Sequence, residues 1–238
     1  MVHPAVEQID MYVDAAEIDA LKKFVDNPLV KGYTTNPTLM NKAGITNFIS
    51  FAEEAASIVS PAPISLEVFA DDDDEIYRQA HIISKIGDNV FVKIPVTNTK
   101  GESLAPLVTK LSAEGIKLNV TALLTTEQVT EISNALDPST EAIISVFAGR
   151  IADTGCDPLL IMKEAASVVH RNQAHKLLWA SPREILNLVQ AVEAEADIIT
   201  MTPDLWKKIE MLGKDLTQLS LETVQMFFND ASTAGFTI

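Results

Sequence analysis

The sequence has little cysteine and histidine. Cys156 is the only cysteine in 238 residues, which excludes an internal disulfide and a cysteine-cluster metal site. The four histidines fall in the N-terminal arm, in helical patterns or ahead of a strand, and none ends a predicted strand. This placement argues against a histidine metal centre and against a Ser-His-Asp triad. We therefore expect no metal in the functional site.

Long apolar runs and targeting patterns are also missing. No run approaches the ~18 residues that a membrane span requires. The opening residues Met1-Val2-His3-Pro4 lack the basic and apolar regions of a secretory leader. A phosphate-cradling Walker loop is absent as well. Together these features predict a cytoplasmic protein.

Basic residues are scarce. The chain has 18 lysines and arginines against 33 aspartates and glutamates, a formal net charge of −15. That charge argues against nucleic acid and anionic membranes as partners. An anionic small substrate would need a local cationic pocket, so the positions of the four arginines are informative: Arg78, Arg150, Arg171 and Arg183.

The chain does contain a regular alternation of short apolar runs and longer amphipathic segments. Eight strands alternating with helices predict a parallel sheet. At this length we expect one domain over 1–238, a (β/α)8 TIM barrel over about 10–212. A doubly wound open sheet is the alternative, but no Gly-x-Gly-x-x-Gly turn follows the first strand. The runs end near Asp14, Thr35, Phe69, Pro95, Thr121, Phe147, Ser181 and Met201.

Two further stretches have readable patterns. The acidic run Asp71–Glu75 predicts a solvated helix N-terminus, where carboxylates suit the helix dipole, in preference to a metal site. The tail, about 215–230, has Leu221, Val224, Phe227 and Phe228 on roughly one helical face. This face would either close the chain's own barrel or dock on a neighbouring subunit.

The segment Val90–Pro95 is apolar except for Lys93. Burial disfavours the charged form of a lysine and lowers its pKa, which makes the neutral amine available as a nucleophile. A Schiff-base enzyme requires such an amine. Alternatively, Lys93 ends an edge strand and extends its amine to water.

Each predicted strand has one apolar face and one face with a polar group toward its C-terminal end. In a closed barrel these polar groups would meet at the C-terminal mouth, where barrel enzymes carry out their chemistry. A half-exposed antiparallel sheet also alternates but does not explain the helices between the strands. The polar-face residues are Ser65, Glu67 and Phe69; Phe91, Lys93 and Pro95; Lys117, Asn119 and Thr121; Ser145 and Phe147; and Leu177, Trp179 and Ser181.

Three strand ends also fit purely structural roles. Asp14, with Glu17 following, could cap a helix in a capping box. Asn36-Pro37 favours a turn. Ser181-Pro182-Arg183 could cap a helix with proline at its first position. Capping and catalysis are compatible, so these roles leave a functional one open.

Six strand-end motifs together resemble the transaldolase family, over about residues 11–212. The length is similar to that of the short subfamily, which includes fructose-6-phosphate aldolases. The motifs are Val13-Asp14-Ala15, Thr34-Thr35-Asn36-Pro37-Thr38, Val92-Lys93-Ile94-Pro95, Asn119-Val120-Thr121, Ser145-Val146-Phe147-Ala148-Gly149-Arg150-Ile151 and Ala180-Ser181-Pro182-Arg183.

The resemblance implies a residue-by-residue chemistry without a cofactor. Lys93 would form a protonated imine with the ketone of a sugar phosphate. Asp14 would be the general base, and Glu67 and Thr121 would position a water that shuttles protons. Asn36 would bond the substrate or Lys93. The other substrate-binding positions implied are Thr35, Asn119, Ser145 and Phe147, with Arg150, Ser181 and Arg183 for the phosphate.

The family comparison also bears on reaction type. At two positions the related aldolases have a glutamine and a tyrosine. This chain has Glu67 and Phe147 there, and in this it resembles the transaldolases. A phenylalanine cannot donate a proton, so transfer of a dihydroxyacetone unit in the pentose phosphate pathway is favoured over release by an aldolase. A non-catalytic interaction barrel is the other alternative. Pro182 and Ala15 depart from the family pattern, and the resemblance implies a homo-oligomer, a pentamer or decamer.

Overall fold

The computed structural model describes residues 3–237, and eight parallel strands close into a barrel. Each strand pairs with the next, and the eighth returns to pair with the first. This confirms the predicted (β/α)8 architecture. The strands are β1 Asp10–Asp14, β2 Val30–Thr34, β3 Ile64–Glu67, β4 Val90–Pro95, β5 Leu118–Leu123, β6 Ala142–Val146, β7 His175–Trp179 and β8 Ile198–Met201.

Helices surround the barrel and bury the outer faces of the strands. Among the described residues they are α1 Ile18–Phe24, α2 Pro37–Lys42, α3 Phe48–Val59, α4 Asp73–Ile83, α5 Ala105–Ala113, α6 Thr126–Ala135, α7 Ala148–Asp153, α8 Pro158–Val169, α9 Leu186–Glu193, α10 Pro203–Trp206 and α11 Leu216–Ala234. Two 3-10 helices span Pro4–Glu7 and Lys207–Met211. The short helices α2 and α7 have six residues each, which are too few to show a helical period in the sequence.

The first and fourth helices test two of the predicted caps. Asp72 caps α4 by accepting a hydrogen bond from the Glu75 amide at 3.2 Å, so the acidic run does form a helix N-terminus. Asp14, however, caps no helix: α1 begins at Ile18 after Glu17, and Asp14 ends β1. The carboxylate of Asp14 is therefore available to the barrel mouth.

The lower part of the barrel interior is an apolar layer, here called the floor cluster. Its largest member is Tyr12, which is 4% exposed. The Tyr12 ring lies so close to Gly32 that a Cβ atom there would fall 2.6 Å from its Cε2 atom. Glycine at this position of β2 therefore makes room for the ring. The cluster consists of Tyr12, Phe91, Ile143, Leu178, Ala180 and Ile198.

The seventh strand corrects the predicted orientation. Leu178 and Ala180 face into the barrel, and Leu177 and Trp179 pack outward against the helices. Ser181 still reaches the mouth, because the strand ends at Trp179 and Ser181 adopts a left-handed φ of +61°. The predicted helix cap at Ser181 is wrong, because α9 begins only at Leu186.

The C-terminal helix stands apart from the barrel core. Within the described part of the chain, none of the residues of α11 is buried, and Phe227 and Phe228 are 62% and 71% exposed. It therefore does not close its own barrel, the first of the two alternatives for the tail. Across residues 3–237, no helix has the length and apolar character that a membrane crossing needs.

Candidate active site

Lys93 lies inside the barrel at the C-terminal end of β4 and is 6% exposed. Its Nζ atom donates to the carbonyl oxygen of Thr35 at 3.0 Å and lies 3.2 Å from Oε2 of Glu67. Both oxygens stabilise the ammonium, which offsets the cost of burying it. The side chain therefore ends in the mouth with a carboxylate beside it, and not at an edge strand in water.

Asp14 faces the same cavity from the end of β1. Its Oδ1 accepts from the Thr34 hydroxyl at 2.8 Å, and its Oδ2 accepts a longer bond of 3.3 Å from the Asn36 amide. Burial raises the pKa of Asp14, and the Lys93 charge and the two hydrogen bonds offset part of that rise. A carboxylate with a raised pKa is a better proton acceptor near neutral pH.

Asn36 and Thr121 complete the polar lining near the lysine. Asn36 caps α2, because its Oδ1 accepts from the Leu39 amide at 2.9 Å while its Nδ2 turns to Asp14. The Thr121 hydroxyl is buried without a hydrogen-bond partner among residues 3–237. Because Thr121 lines the cavity, its hydroxyl is free to bind water or substrate there.

Two predicted substrate-binding residues lie in the wall of the site. The Thr35 hydroxyl donates to the Ser65 carbonyl at 3.0 Å, and only the Thr35 backbone meets Lys93. Asn119 is fully buried; it donates to the Ser65 hydroxyl at 2.9 Å and accepts from the Ser145 hydroxyl at 2.7 Å. Of these hydrogen-bonded residues, Ser145 also lines the cavity. Thr35 and Asn119 lie behind the lining residues and shape the site from there.

The loops after β6 and β7 meet at one side of the mouth. At Gly149 a Cβ atom would overlap the Ser181 carbonyl, so only glycine permits this close approach. The approach brings the Ser181 backbone against α7, and the guanidinium of the next α7 residue, Arg150, lies 5.5 Å from the centre of the Phe147 ring. Phe147 and Arg150 line the cavity together with Ser181.

Arg183 sits farther out on this side. Its guanidinium is ion-paired with Asp153 of α7, and both side chains are about half exposed, at 48% and 52%. That pairing lowers the pKa of Asp153. The structure therefore places Arg150 at the cavity and Arg183 on its rim.

Two cavity residues, Thr34 and Thr200, were not among the predicted site residues. Their hydroxyl oxygens are 2.6 Å apart, and Thr34 also donates to Asp14. Thr34 belongs to the Thr-Thr-Asn-Pro motif, and in the barrel its side chain points inward from β2. Thr200 could have been found as the one hydroxyl in the apolar run Ile198–Met201.

The cavity enclosed by these residues has a volume of about 360 Å³. A larger one, about 830 Å³, opens at the opposite end beneath the floor cluster. The larger cavity is lined by Lys117 and Lys176, which are paired with surface carboxylates and are half exposed. The smaller cavity, which holds the buried lysine and its carboxylates, is the candidate active site.

The fold and this cavity define a class: a (β/α)8-barrel enzyme with a lysine–carboxylate site at its C-terminal mouth. Comparison with known proteins narrows the class. The family model described as transaldolase/fructose-6-phosphate aldolase matches residues 11–238, and the chain belongs to that family.

Curated relatives agree with this assignment. A "Probable transaldolase" of Dehalococcoides mccartyi is 33% identical over 192 residues, covering 80% of this chain and 85% of the relative. A "Probable transaldolase 2" of Listeria monocytogenes is 36% identical over 199 residues, covering 83% and 87%. A solved structure described as a "putative phosphonomutase" from Burkholderia cenocepacia shares the fold alone, with a TM-score of 0.57 at 8% identity, covering 97% of this chain and 95% of that one.

Proposed function

We propose that the protein is a transaldolase that transfers a dihydroxyacetone unit through a Schiff base on Lys93. The donor would be a ketose phosphate, sedoheptulose 7-phosphate or fructose 6-phosphate, and the acceptor glyceraldehyde 3-phosphate or erythrose 4-phosphate. One observation supports this most strongly: the buried Lys93 amine lies 3.2 Å from a carboxylate in the same cavity as Asp14.

Imine formation would begin with a proton transfer from Lys93 to Glu67, which gives a neutral amine. The amine attacks the ketone carbon of the donor, and the resulting carbinolamine loses its hydroxyl as water to leave a protonated imine. Glu67 supplies the proton for that water. The unpartnered hydroxyl of Thr121 is suited to hold the water as it leaves and returns.

Carbon–carbon cleavage would then use Asp14. Asp14 takes the proton of the donor's C4 hydroxyl, the C3–C4 bond breaks, and its electron pair moves into the protonated imine to form an enamine. The aldose phosphate formed from the rest of the donor leaves. The enamine attacks the acceptor aldehyde, Asp14 returns the proton, and hydrolysis frees Lys93.

The phosphate would bind on the side of the mouth formed by the β6 and β7 loops. Arg150 and Ser181 both line the cavity. A guanidinium can bind phosphate through two parallel hydrogen bonds. Arg183 reaches the same rim, but to bind the phosphate it would have to leave Asp153 or contact Asp153 and the phosphate together. This cationic rim gives an acidic protein a local site for an anionic substrate.

Transfer is favoured over simple cleavage because Phe147 offers no proton to the enamine. The test compares fructose 6-phosphate alone with fructose 6-phosphate plus erythrose 4-phosphate. A transaldolase should form sedoheptulose 7-phosphate with the acceptor and release little free dihydroxyacetone without it. Stoichiometric release of dihydroxyacetone without acceptor would instead establish the fructose-6-phosphate aldolase activity. Phe147→Tyr, which supplies a hydroxyl, should raise the rate of release.

The proposal extends to the assembly and location of the enzyme. The exposed apolar face of α11 supports a homo-oligomer in which this helix docks on a neighbouring copy of the chain. Sedimentation should show a pentamer or decamer that Phe227→Asp dissociates. A wild-type monomer would contradict this part of the proposal. We place the enzyme in the cytoplasm and in the pentose phosphate pathway.

A further inference from the structure

Asp14, the proposed general base, lies at the end of β1, which pairs with β2 on one side and with β8 on the other. On one side β2 places Thr34 opposite Asp14, and on the other side β8 places Thr200 opposite Tyr12. The Thr34 and Thr200 hydroxyls meet across the inner surface of β1 at 2.6 Å, and both residues are buried. Thr200 is 6% exposed and lines the active-site cavity.

The direction of these hydrogen bonds follows from the number of protons. While Asp14 is ionised, its carboxylate can only accept, so the single proton of the Thr34 hydroxyl is donated to it at 2.8 Å. The 2.6 Å contact with Thr200 must therefore be a bond in which Thr200 donates and Thr34 accepts. The Thr200 hydroxyl therefore donates to Thr34, the Thr34 hydroxyl donates to Asp14, and both protons point toward the carboxylate.

We propose that Thr200 is a positioning residue for the general base, acting through Thr34 to orient the Asp14 carboxylate and to strengthen the hydrogen bond that it receives. A hydroxyl that accepts a bond becomes a better donor, so the two bonds reinforce each other. The proposal rests on the role proposed above for Asp14. It assigns a function to a β8 residue that touches no reacting atom in that mechanism.

Packing alone does not explain a threonine here. Valine has almost the same shape and an equal or better preference for strands, and it avoids the cost of burying a hydroxyl. The neighbours of Thr200 in β8, Ile199 and Met201, are apolar and fully buried. A hydroxyl in this run is explained by its bond to Thr34, which points directly at the catalytic carboxylate.

The relay should favour the ionised form of Asp14 over the protonated form. Lys93, Glu67 and Arg150 are the charged groups that share the cavity with Asp14, whereas the ends of β2 and β8 beside it present hydroxyl and amide groups. Burial raises the pKa of Asp14, and hydrogen bonds donated to its carboxylate oppose that rise. Losing the Thr200 donor should therefore make Asp14 protonate at a higher pH.

The experiment compares Thr200→Val with Thr200→Ser, which keeps the hydroxyl, and with Thr140→Val, which removes a half-buried hydroxyl near the start of β6. In Thr200→Val we expect kcat for carbon–carbon transfer to fall about five- to tenfold even at a pH where Asp14 is ionised, because its carboxylate is less well oriented. The acidic limb of the kcat profile should move to higher pH by about 0.5–1 unit. Thr200→Ser should restore the wild-type limb, and Thr140→Val should leave it in place.

A second readout separates this role from a general structural one. Forming the imine with dihydroxyacetone does not require a proton transfer to Asp14. Borohydride trapping of dihydroxyacetone on Lys93 should therefore proceed equally in wild type and Thr200→Val. Slower trapping in Thr200→Val, or a loss of activity that is uniform across pH, would overturn the relay and indicate a packing role.

The outcomes also distinguish this inference from the proposed function. If the wild-type protein neither traps on Lys93 nor transfers a dihydroxyacetone unit, the proposed function fails. If the wild type does both and Thr200→Val keeps the wild-type kcat and acidic limb, only the relay fails. A shifted limb that serine restores supports both.

Discussion

The mouth and the floor of the barrel are built from the same strands and differ in what they bury. At the mouth, Lys93 and Glu67 form an ion pair whose side chains are only 8% and 16% exposed. At the opposite end, Lys117 and Glu141 form a pair at 3.0 Å that is 38% and 64% exposed. The larger cavity belongs to the second end.

The difference teaches that buried charge, and not cavity size, distinguishes the candidate active site from the other end of the barrel. A half-exposed pair on the rim contributes little and needs no special environment. A buried pair costs several kcal/mol in desolvation, so it persists where both groups have a use. The contrast also occurs within one strand, two residues apart: Tyr12 packs in the apolar floor cluster, and Asp14 accepts hydrogen bonds at the mouth.

The largest expected contrast comes from removing one lysine at each end. Lys93→Met should abolish imine formation and lower kcat by a factor of about 10⁴ or more, because no other group replaces the nucleophile. Lys93→Arg should be equally inactive while keeping a positive charge beside Glu67. Lys117→Met is the matched control at the other end and should retain wild-type kcat. A steady-state transfer assay measures all three, and an active Lys93→Arg enzyme would refute the assignment.

Asp14→Asn should separate activity from stability. Loss of the general base should lower kcat by about 10²–10⁴-fold. Because the folded-state pKa of Asp14 is raised, its ionisation in the native state costs stability as pH rises through that pKa. The variant should therefore be more stable than wild type near pH 8, with the difference shrinking toward acid pH. Urea unfolding at several pH values measures this, and a variant less stable than wild type at pH 8 would contradict it.

Gly32→Ala should damage the floor and leave the chemistry intact. The added Cβ meets the Tyr12 ring, so we expect a loss of about 1–3 kcal/mol in the free energy of unfolding. Tyr12→Leu removes the ring atoms that clash. In the double variant the losses should therefore be less than additive. The kcat of folded Gly32→Ala should stay within about twofold of wild type, and a large fall would show that the floor controls the mouth directly.

The smallest effect is expected at the rim of the mouth. Asp153→Asn releases Arg183 from an exposed ion pair, which should change stability by less than ~1 kcal/mol. Removal of the carboxylate should lower KM for the sugar phosphate about two- to threefold, since the phosphate no longer competes with it. Steady-state kinetics at low salt measure the change. A higher KM would mean that Asp153 instead holds Arg183 in its binding position.

The sequence pattern predicted the mouth well where strands are regular. The inward placement of Glu67, Lys93, Thr121 and Ser145 follows from simple alternation along β3 to β6. The same reasoning failed at β7, because alternation assumes an extended backbone and Ser181 is left-handed. Nor could it show that Arg183 would meet Asp153, since that contact joins the loop after β7 to the end of α7, 30 residues away in the chain.

Hydrogen-bond partners were the least predictable part of the site. The roles of Thr34 and Thr200 depend on a contact between residues separated by 166 positions. Only closure of the barrel from β8 to β1 creates that contact. The local sequence pattern indicates a strand and the direction in which its side chains face. The partner of a buried hydroxyl, in contrast, is fixed by the register of the neighbouring strands.

The most direct test of the account is covalent trapping at the mouth. The wild-type protein is incubated with fructose 6-phosphate, reduced with borohydride, digested and analysed by mass spectrometry. We predict a reduced dihydroxyacetone adduct on Lys93 and none on Lys117. A folded protein that transfers dihydroxyacetone units without an adduct on Lys93, or with the adduct on another lysine, would contradict the account.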